Sequence, residues 1–406
     1  MKKFFFQYPM LKRIFFSFGI VLLFLIGRYI PLPNVDISKS SVVANSSLEV
    51  ASAVSGGSLA NIGLFSLGLG PSMYSMILNR VFALGRRRQA TDSSQQKKQM
   101  IVMFLVAAMQ GLGIAASLTY VAHPILQPIQ LIALTTFLLV TGSFILMWLG
   151  NLNAAYGMGG TTLIMFISIV VSQFRAVPIL VEVVASPKIM YAVFIMVWTL
   201  LSIYVTVIFD KSEYRIPIQR VSIHNDFVKK AYLPIRVNPS NGMPIMYAFT
   251  FLALPQYFLI LLSYLLKRNA LLQYSVYFTP RTGIGIVIYV VLVLLLSYSF
   301  AFVNVDPVVL SKEFRVSGDF IKDVRPGKPT QLYLARYIRF FGVFSGVITS
   351  ILLSIPLILF LSDEKLQDLT PLSGIFMMMT GMVLMIRDEV VTSRLRRKYT
   401  ELFEGN

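Results

Sequence analysis

The sequence predicts an all-α integral membrane protein with about ten transmembrane helices. Three observations lead to this fold class: a high apolar content, repeated apolar runs of spanning length, and basic residues grouped between the runs. Of the 406 residues, 56% are hydrophobic and only 13% are charged. A soluble fold cannot hide that much apolar surface, whereas a bilayer accepts it. Because a spanning helix needs about 20 apolar residues, the chain can supply many such helices.

Apolar runs along the chain set the predicted spans. The first run, from Ile14 to about Ile30, follows a group of basic residues and so resembles a secretory signal. It is longer than the apolar core of a signal, and Pro31-Leu32-Pro33 is not a small-residue cleavage site, so we expect a retained helix. Spans are predicted near residues 14–33, 65–84, 99–122, 129–150, 158–176, 188–209, 242–266, 283–304, 338–361 and 370–386.

Basic residues predict the orientation of these spans. Segments assigned to the cytoplasm hold 28 Lys and Arg residues, those on the other side hold 7, and Arg28 falls within the first span. Such an excess is the positive-inside pattern. We therefore expect a bacterial cytoplasmic membrane protein with both termini, the loops at 210–241 and 305–340 and the tail at 387–406 in the cytoplasm. This topology accounts for the net charge of +18 without nucleic acid binding.

Span counting divides the chain into two halves. Residues 1–176 hold five predicted spans, residues 177–187 form an external hinge, and residues 188–406 hold the other five. An odd number of spans in each half inverts the second half relative to the first. Because inverted halves place a pathway at their interface, we expect a central pore. The division rests on the count alone, since the two halves show no residue-by-residue repeat.

A polar, glycine-broken segment at 45–61 lies between the first two long spans. It is too short and too polar to cross a membrane alone. One interpretation is an ordinary external loop. The other is a re-entrant half-helix at about 46–62, which a bilayer tolerates only where protein or a water-filled cavity surrounds it. The residues themselves leave both interpretations open.

Short motifs in order along the chain carry a resemblance to a known family. They are Ile30-Pro31-Leu32-Pro33, the glycine-rich stretches at 55–59 and 65–71, the motifs at 147–150 and 157–160, and the loop residues at 215–219, 232–238 and 324–330. From about residue 9 to residue 390 they resemble the SecY family, the channel subunit of the Sec translocon. Two departures, a shortened glycine motif at 157–160 and the Gly-Leu-Gly-Pro-Ser-Met sequence at 68–73, resemble the accessory branch of Gram-positive cocci.

The resemblance implies a channel that passes unfolded polypeptide, in the accessory branch serine-rich glycosylated adhesins. A short apolar constriction suits this task because it binds nothing strongly and disfavours hydrated ions. By resemblance, this pore ring comprises Leu69, Met73, Thr161, Met165, Met246, Thr250 and Met379. Methionine adapts to irregular partners. A plug containing Ser55, Gly56, Gly57, Ser58 and Leu59 would seal the resting pore, held weakly because its residues are mostly small.

The two long basic loops have a topological and a functional interpretation. Their charges could simply hold the loops inside and meet anionic lipid. By resemblance they dock a SecA-type motor ATPase, through Arg215, Arg220, Lys322, Arg325 and Lys328. Arg325 is the strongest candidate because Pro326 and Gly327 favour a turn that presents its guanidinium. Further expected partners are small SecE-like subunits, the secreted unfolded polypeptide and membrane lipid.

Enzyme chemistry is not expected, because the sequence offers no phosphate-binding loop and no nucleophile–base set. No cofactor or metal is expected either. Two alternative functions remain: a secondary transporter for a small or lipidic solute, and a membrane-protein insertase that uses only a lateral exit. The transporter would need convergent charge in its spans, which the predicted spans lack.

Overall fold

The computed structural model describes residues 9–35, 46–59, 62–84, 92–121, 127–174, 177–178, 181–182, 189–220, 231–268 and 270–403. Its helices are α1 (Pro9–Arg28), α2 (Ser46–Val54), α3 (Gly70–Leu84), α4 (Asp92–Ser117), α5 (Pro128–Tyr156), α6 (Gly160–Gln173), α7 (Ile189–Lys211), α8 (Met243–Leu266), α9 (Ala270–Gln273), α10 (Gly283–Asn304), α11 (Pro307–Ser317), α12 (Lys328–Leu359), α13 (Glu364–Gln367) and α14 (Leu372–Phe403). The strands are β1 (Glu213–Arg220), β2 (Tyr232–Arg236) and β3 (Asp319–Ile321).

The expected helical membrane architecture is confirmed at the level of candidate spans. Among the described residues, seven helical segments are long and apolar enough to cross a membrane. They are α1, α4, α5, α7, α8, α10 with its continuation into α11, and α12. Helix α6 is apolar but shorter. Many of their large apolar side chains are exposed, as Phe137 and Met190 illustrate, which suits helices surrounded by lipid.

The chain forms two compact units. The first comprises Met1–Glu182, Phe249–Gly285 and Met382–Asn406, and the second comprises Val183–Ala248 and Ile286–Gly381. This grouping differs from the division expected at 177–187, most of which lies outside the described residues. In the first unit, apolar side chains from α2, α4, α5 and α8 share one core, including Leu48, Ile114, Leu139 and Tyr257.

The second unit contains a small antiparallel sheet, which departs from the all-α expectation. Strand β1 lies in the centre, with β2 on one side and β3 on the other. One face of the sheet is apolar and packs against α12. Its core contains Ile216, Ile235 and Ile321 of the strands together with Leu334 and Ile338 of α12. The strands were not predicted because they are short and two of them contain proline, which is otherwise depleted in sheets.

The second unit also explains where α12 begins. The predicted span starts near residue 338, whereas the helix begins at Lys328. Its first turns are polar except for the side chains that pack on the sheet, so hydropathy alone misses them. Further along, a Cβ built on Gly342 would lie 2.7 Å from Ala301 Cβ, and one on Gly346 would lie 2.9 Å from Ser297 Cβ. Small residues allow such close helix crossings, here between α12 and α10.

Candidate pore, plug and docking surface

The candidate plug begins with helix α2, which ends at Val54 and is followed by a turn. Its side chains are buried: Ser55, Ser58 and Leu59 are all less than 5% exposed. Ala60 and Asn61, at the end of the predicted segment, lie outside the described residues. Leu48 and Leu59 belong to the core of the first unit. The segment therefore has more apolar contact than its many small residues suggested.

Glycines let the plug backbone press against the turn that precedes α3. The Leu69 amide donates to the Ser55 carbonyl oxygen over 2.6 Å. A Cβ on Gly57 would collide with the Ser66 carbonyl oxygen, and one on Gly68 would lie 2.7 Å from the Ser55 oxygen. Gly68 also has a φ of +61°, a conformation that side chains disfavour. Only glycine fits this double contact, which fixes the plug against α3.

The plug is also hydrogen-bonded to α6, and through α6 it is linked to α1. The Ser168 hydroxyl on α6 donates to the Gly57 carbonyl oxygen over 3.0 Å. Arg28 Nη1 in turn donates to Ser168 Oγ over 2.8 Å and to the Ser168 carbonyl oxygen over 3.3 Å. Arg28 is only 4% exposed. The sequence placed Arg28 within the first predicted span, but nothing in the sequence pointed to Ser168.

The first unit holds five of the predicted ring residues. Leu69, Met73, Met165 and Thr250 are buried and Thr161 is half-buried. Leu69 lies beside the plug, since a Cβ on Gly56 would be 3.8 Å from Leu69 Cδ1. The Tyr74 hydroxyl donates to the Thr250 carbonyl oxygen, so α3 and α8 are joined next to these positions. The Thr161 methyl group packs against Gly150 of α5.

The glycine motif at 157–160 sets the start of α6. Gly159 and Gly160 have φ angles of +77° and +46°, and the buried Asn153 donates to the carbonyl oxygens of Met158 and Gly160, each over 2.9 Å. The Ser17 hydroxyl of α1 donates to Asn153 Oδ1 over 2.8 Å. These hydrogen bonds tie α1, α5 and α6 together, and so fix where Thr161 and Met165 lie.

The second unit holds the other two predicted ring residues. Met246 of α8 is buried and Met379 of α14 is half-buried. Near them, a Cβ on Gly381 would lie 2.8 Å from the Gly242 amide nitrogen and 3.0 Å from Gly242 Cα. The paired glycines allow α14 to touch the start of α8 backbone to backbone. The seven ring residues thus lie in two units, and the ring as a whole remains a prediction.

Asp210, a buried carboxylate at the end of α7, lies near the start of α8. It is 7% exposed, and its Oδ1 lies 3.6 Å from Arg236 Nη1 of β2. With its amide oriented to donate, Asn241 lies 2.7 Å from the same oxygen. Asn238 and Asn241 line a small cavity with Thr206 and Ile348. Sequence reasoning missed this cluster because its members are far apart in the chain.

The predicted docking residues surround the sheet of the second unit. Arg215, Lys322, Arg325 and Lys328 are exposed, whereas the side chain of Arg220 lies outside the described part of the chain. The Arg215 guanidinium stacks on the Tyr232 ring with 4.7 Å to the centroid, a favourable cation–π geometry.

The turn that carries Arg325 is held by a hydrogen bond. The Thr330 hydroxyl donates to the Arg325 carbonyl oxygen over 2.9 Å. Gly327 then has a φ of +99°, so the turn requires glycine at this position. The arrangement presents the Arg325 side chain outward, as the Arg-Pro-Gly sequence predicted.

The family comparison agrees with these features. The SecY family model matches residues 63–392 of the chain. The chain belongs to the SecY family. The assignment that the sequence motifs suggested is therefore confirmed, and this SecY family member is a channel protein, not an enzyme.

Similar SecY family members are accessory-system subunits. The chain is 42% identical over 397 residues to the accessory Sec system protein translocase subunit SecY2 of Streptococcus agalactiae, covering 97% of this chain and 96% of that protein. It is 31% identical to the SecY2 subunit of Streptococcus gordonii, covering 99% and 100%. Both alignments extend over nearly the full length of each protein.

Two solved structures share the fold. One, described as the structure of a protein conducting channel, has a TM-score of 0.67 at 16% identity and covers 95% of this chain and 93% of its own. The other describes a SecY plug domain that stabilises the closed state of the translocation channel and maintains a membrane seal. It has a TM-score of 0.67 at 17% identity, with 95% of this chain and 92% of its own covered.

Proposed function

We propose that this SecY family member is the channel subunit of an accessory Sec translocase, which passes unfolded polypeptide across a bacterial cytoplasmic membrane. The observation that carries the proposal is the near full-length similarity to SecY2 subunits. The cargo we propose is the serine-rich glycosylated adhesin class. Both termini lie in the cytoplasm, consistent with the distribution of basic residues.

The proposed channel has ten transmembrane helices in two inverted halves. The seven candidate spans support this count. Three further helices coincide with predicted spans: α3, the shorter apolar α6 and the apolar first half of α14. These last helices carry Met73, Thr161, Met165 and Met379, and a helix partly surrounded by protein needs a less continuous apolar surface than one surrounded by lipid.

The segment at 46–62 acts as the plug of the resting channel. Its burial, its contact with Leu69 and its glycine-dependent fit against residues 66–68 support this role. A plug made of a short helix and a tight turn can leave the pore as one unit. The pore ring then closes around the passing chain, with Met73, Met165, Met246 and Met379 supplying side chains that adapt to varied cargo.

The exposed basic residues around the sheet form the docking surface for a cytosolic motor ATPase. Arg325 and Lys328 project from one ordered turn, and Arg215 is held by Tyr232 on a neighbouring strand. Small SecE-like subunits and membrane lipid would cover the exposed apolar helix faces. A motor is needed because a channel alone supplies no energy for transport.

Site-specific crosslinking of a stalled secretory chain tests the channel function. A photo-crosslinking residue is placed at Met73, at Met165 or at Met379, and a cargo polypeptide is arrested in the assembled translocase. We expect adducts at all three positions. The matched control is Leu200 of α7, which is 61% exposed on the helix surface and should give none.

The outcome separates the candidate functions. Adducts that require the motor support a secretory channel. A stalled chain that crosslinks only at exposed helix faces would favour the insertase, and no adduct at any ring position would contradict the proposed pathway.

A further inference from the structure

Arg28 is a buried charge in a chain built to pass its cargo through an uncharged pore. It is the last residue of α1 and is only 4% exposed. Burying a guanidinium is costly unless hydrogen bonds compensate, and ionisable residues within membrane spans are usually retained for a function. The channel function described so far gives Arg28 no role.

The hydrogen bonds of Arg28 lead to the plug. Arg28 Nη1 lies 2.8 Å from Ser168 Oγ, and Ser168 Oγ lies 3.0 Å from the Gly57 carbonyl oxygen. A guanidinium has donors only, so the Ser168 oxygen must accept from Arg28. The hydroxyl proton of Ser168 is thereby left for the Gly57 carbonyl. Hydrogen bonds that begin at a charge are the stronger ones, and the charge also polarises the next bond in the chain.

This chain of hydrogen bonds, the Arg28–Ser168–Gly57 relay, acts where the plug is most tightly fitted. Gly57 also presses on the backbone at Ser66 and Gly68, and the neighbouring Gly56 faces Leu69 and Ile164. The second Arg28 bond, to the Ser168 carbonyl oxygen, orients the guanidinium on α6 independently of the plug. Within this relay, departure of the plug breaks the Ser168–Gly57 bond and leaves the two described Arg28–Ser168 bonds intact, so the donor stays in place for the plug's return.

We propose that Arg28 is a positioning residue for the plug: it orients the Ser168 hydroxyl, which holds Gly57 and favours the closed channel. The inference rests on the plug role given under the proposed function. It predicts that loss of either side chain raises the population of channels whose plug is displaced.

Thiol labelling measures that population. The chain has no natural cysteine, so Ser58→Cys places a single buried thiol in the plug, and a membrane-impermeant maleimide reacts with it only when the plug is displaced. In the assembled, idle translocase we expect Ser168→Ala to raise the labelling rate about fivefold. That ratio equals about 1 kcal/mol at 1.4 kcal/mol per factor of ten, the usual net contribution of one hydrogen bond.

Variants of Arg28 and a control serine sharpen the test. Arg28→Gln should raise the labelling rate of Ser58→Cys. Arg28→Lys, which keeps a positive donor, should label at a rate between those of the parent and Arg28→Gln. The double variant Arg28→Gln/Ser168→Ala should label only slightly faster than the faster single variant, because both substitutions break the same chain of hydrogen bonds. The control is Ser172→Ala on the same helix, whose hydroxyl bonds only within its own turn, to the Ile169 carbonyl oxygen, among the hydrogen bonds described. It should label like the parent.

A second thiol distinguishes the relay from general loosening. Ser143→Cys on α5, at a fully buried position, should stay unlabelled in every variant. Equal labelling of Ser58→Cys in the parent and in Ser168→Ala overturns the relay, as does a rise that Ser143→Cys shares. If deletion of residues 46–59 leaves the idle translocase sealed to ions, the plug role itself fails. A deletion that leaks, together with unchanged Ser168→Ala labelling, overturns the relay alone.

Discussion

For single residues, burial decides how much a charged pair contributes to the stability of this protein. Asp210 is buried and lies 3.6 Å from Arg236, whereas Glu213 is 37% exposed and lies 3.9 Å from Arg215. The two pairs are neighbours on the sheet, where Glu213 of β1 is the register partner of Arg236 of β2. An exposed pair contributes little because water already solvates both charges. A buried carboxylate depends on its partners, since an uncompensated charge in a protein interior is costly.

We therefore expect Arg236→Ala to destabilise the protein by about 1–3 kcal/mol, a value reduced from that of a fully buried pair because Arg236 itself is partly exposed. Arg215→Ala, the matched control, should cost less than about 1 kcal/mol. Thermal unfolding of the detergent-solubilised protein compares the two. Equal losses of melting temperature would contradict the importance of burial at Asp210.

For Arg325 we expect an effect of substitution on transport and none on stability. Its side chain is exposed on an ordered turn, so Arg325→Glu should leave folding and membrane insertion unchanged. Charge reversal should reduce export of a model cargo at least tenfold by weakening motor docking. Arg281→Glu, at an exposed arginine predicted to face the opposite side of the membrane, is the control and should export normally. Export by Arg325→Glu at the parent rate would remove this residue from the docking surface.

Residue patterns predicted the sites unevenly, for physical reasons. The glycine-broken backbone at 55–59 and the Arg325 turn were predictable because glycine and proline mark backbone geometry locally. The plug role of the first stays a prediction. The Arg28–Ser168–Gly57 relay was not, since its three members are brought together by tertiary packing over more than a hundred residues. Asp210 was missed because it is the first residue of the predicted basic loop at 210–241, and nothing in the sequence shows that Arg236 and Asn241 fold back onto it.

At the scale of whole elements, backbone contact through glycine decides how closely helices approach. Gly242, just before α8, meets Gly381 of α14: a Cβ on Gly381 would lie 2.8 Å from the Gly242 amide nitrogen, and one on Gly242 would lie 3.2 Å from Met378 Cα. Met246 follows Gly242 by about one helical turn, and Met379 precedes Gly381 by two positions. The glycine pair therefore fixes the spacing of two predicted ring residues within the second unit.

Gly381→Ala should force these two helices apart. Backbone atoms cannot move aside as a flexible side chain can, so we expect a destabilisation of about 1–3 kcal/mol, the range typical of overpacking. Gly19→Ala is the matched control, because nothing lies within 4 Å of a Cβ built on Gly19 in α1. That control should be neutral or slightly stabilising, since alanine favours helix more than glycine does. Thermal unfolding of both variants checks the prediction, which fails if Gly381→Ala unfolds like the parent.

Elements were predictable to the extent that hydropathy reports them. The apolar runs located the long spans well, because each must present lipid-facing side chains along its length. The predicted span at 65–84 is helical only from Gly70, since Gly68 takes a left-handed φ and Pro71 suits a first turn. Hydropathy did not predict the first turns of α12 or the three strands. Their few apolar side chains pack into a small core of their own and do not form a continuous apolar run of spanning length.

At the scale of the molecule, the sequence predicted the membrane class and the family, whereas the grouping of helices into units came only from packing. Span counting separates the chain near residues 177–187, but the first unit also includes residues 249–285 and 382–406. Counting spans shows only the order in which helices follow one another along the chain. It does not show which helices pack together in the folded protein. The proposed inverted arrangement is compatible with either grouping.

The small sheet makes two distant loops mechanically one body. Strand β1 pairs with β2 of its own loop and with β3 of the other loop. The antiparallel pairing that joins the two loops runs from Ile218 opposite Ile321 to Arg220 opposite Asp319. If the proposed motor docks at the turn carrying Arg325, its force is shared with the strand pair that leads through Arg236 towards α8. The stiffness of this sheet would then set how much of each motor stroke moves α8 and how much only bends a loop.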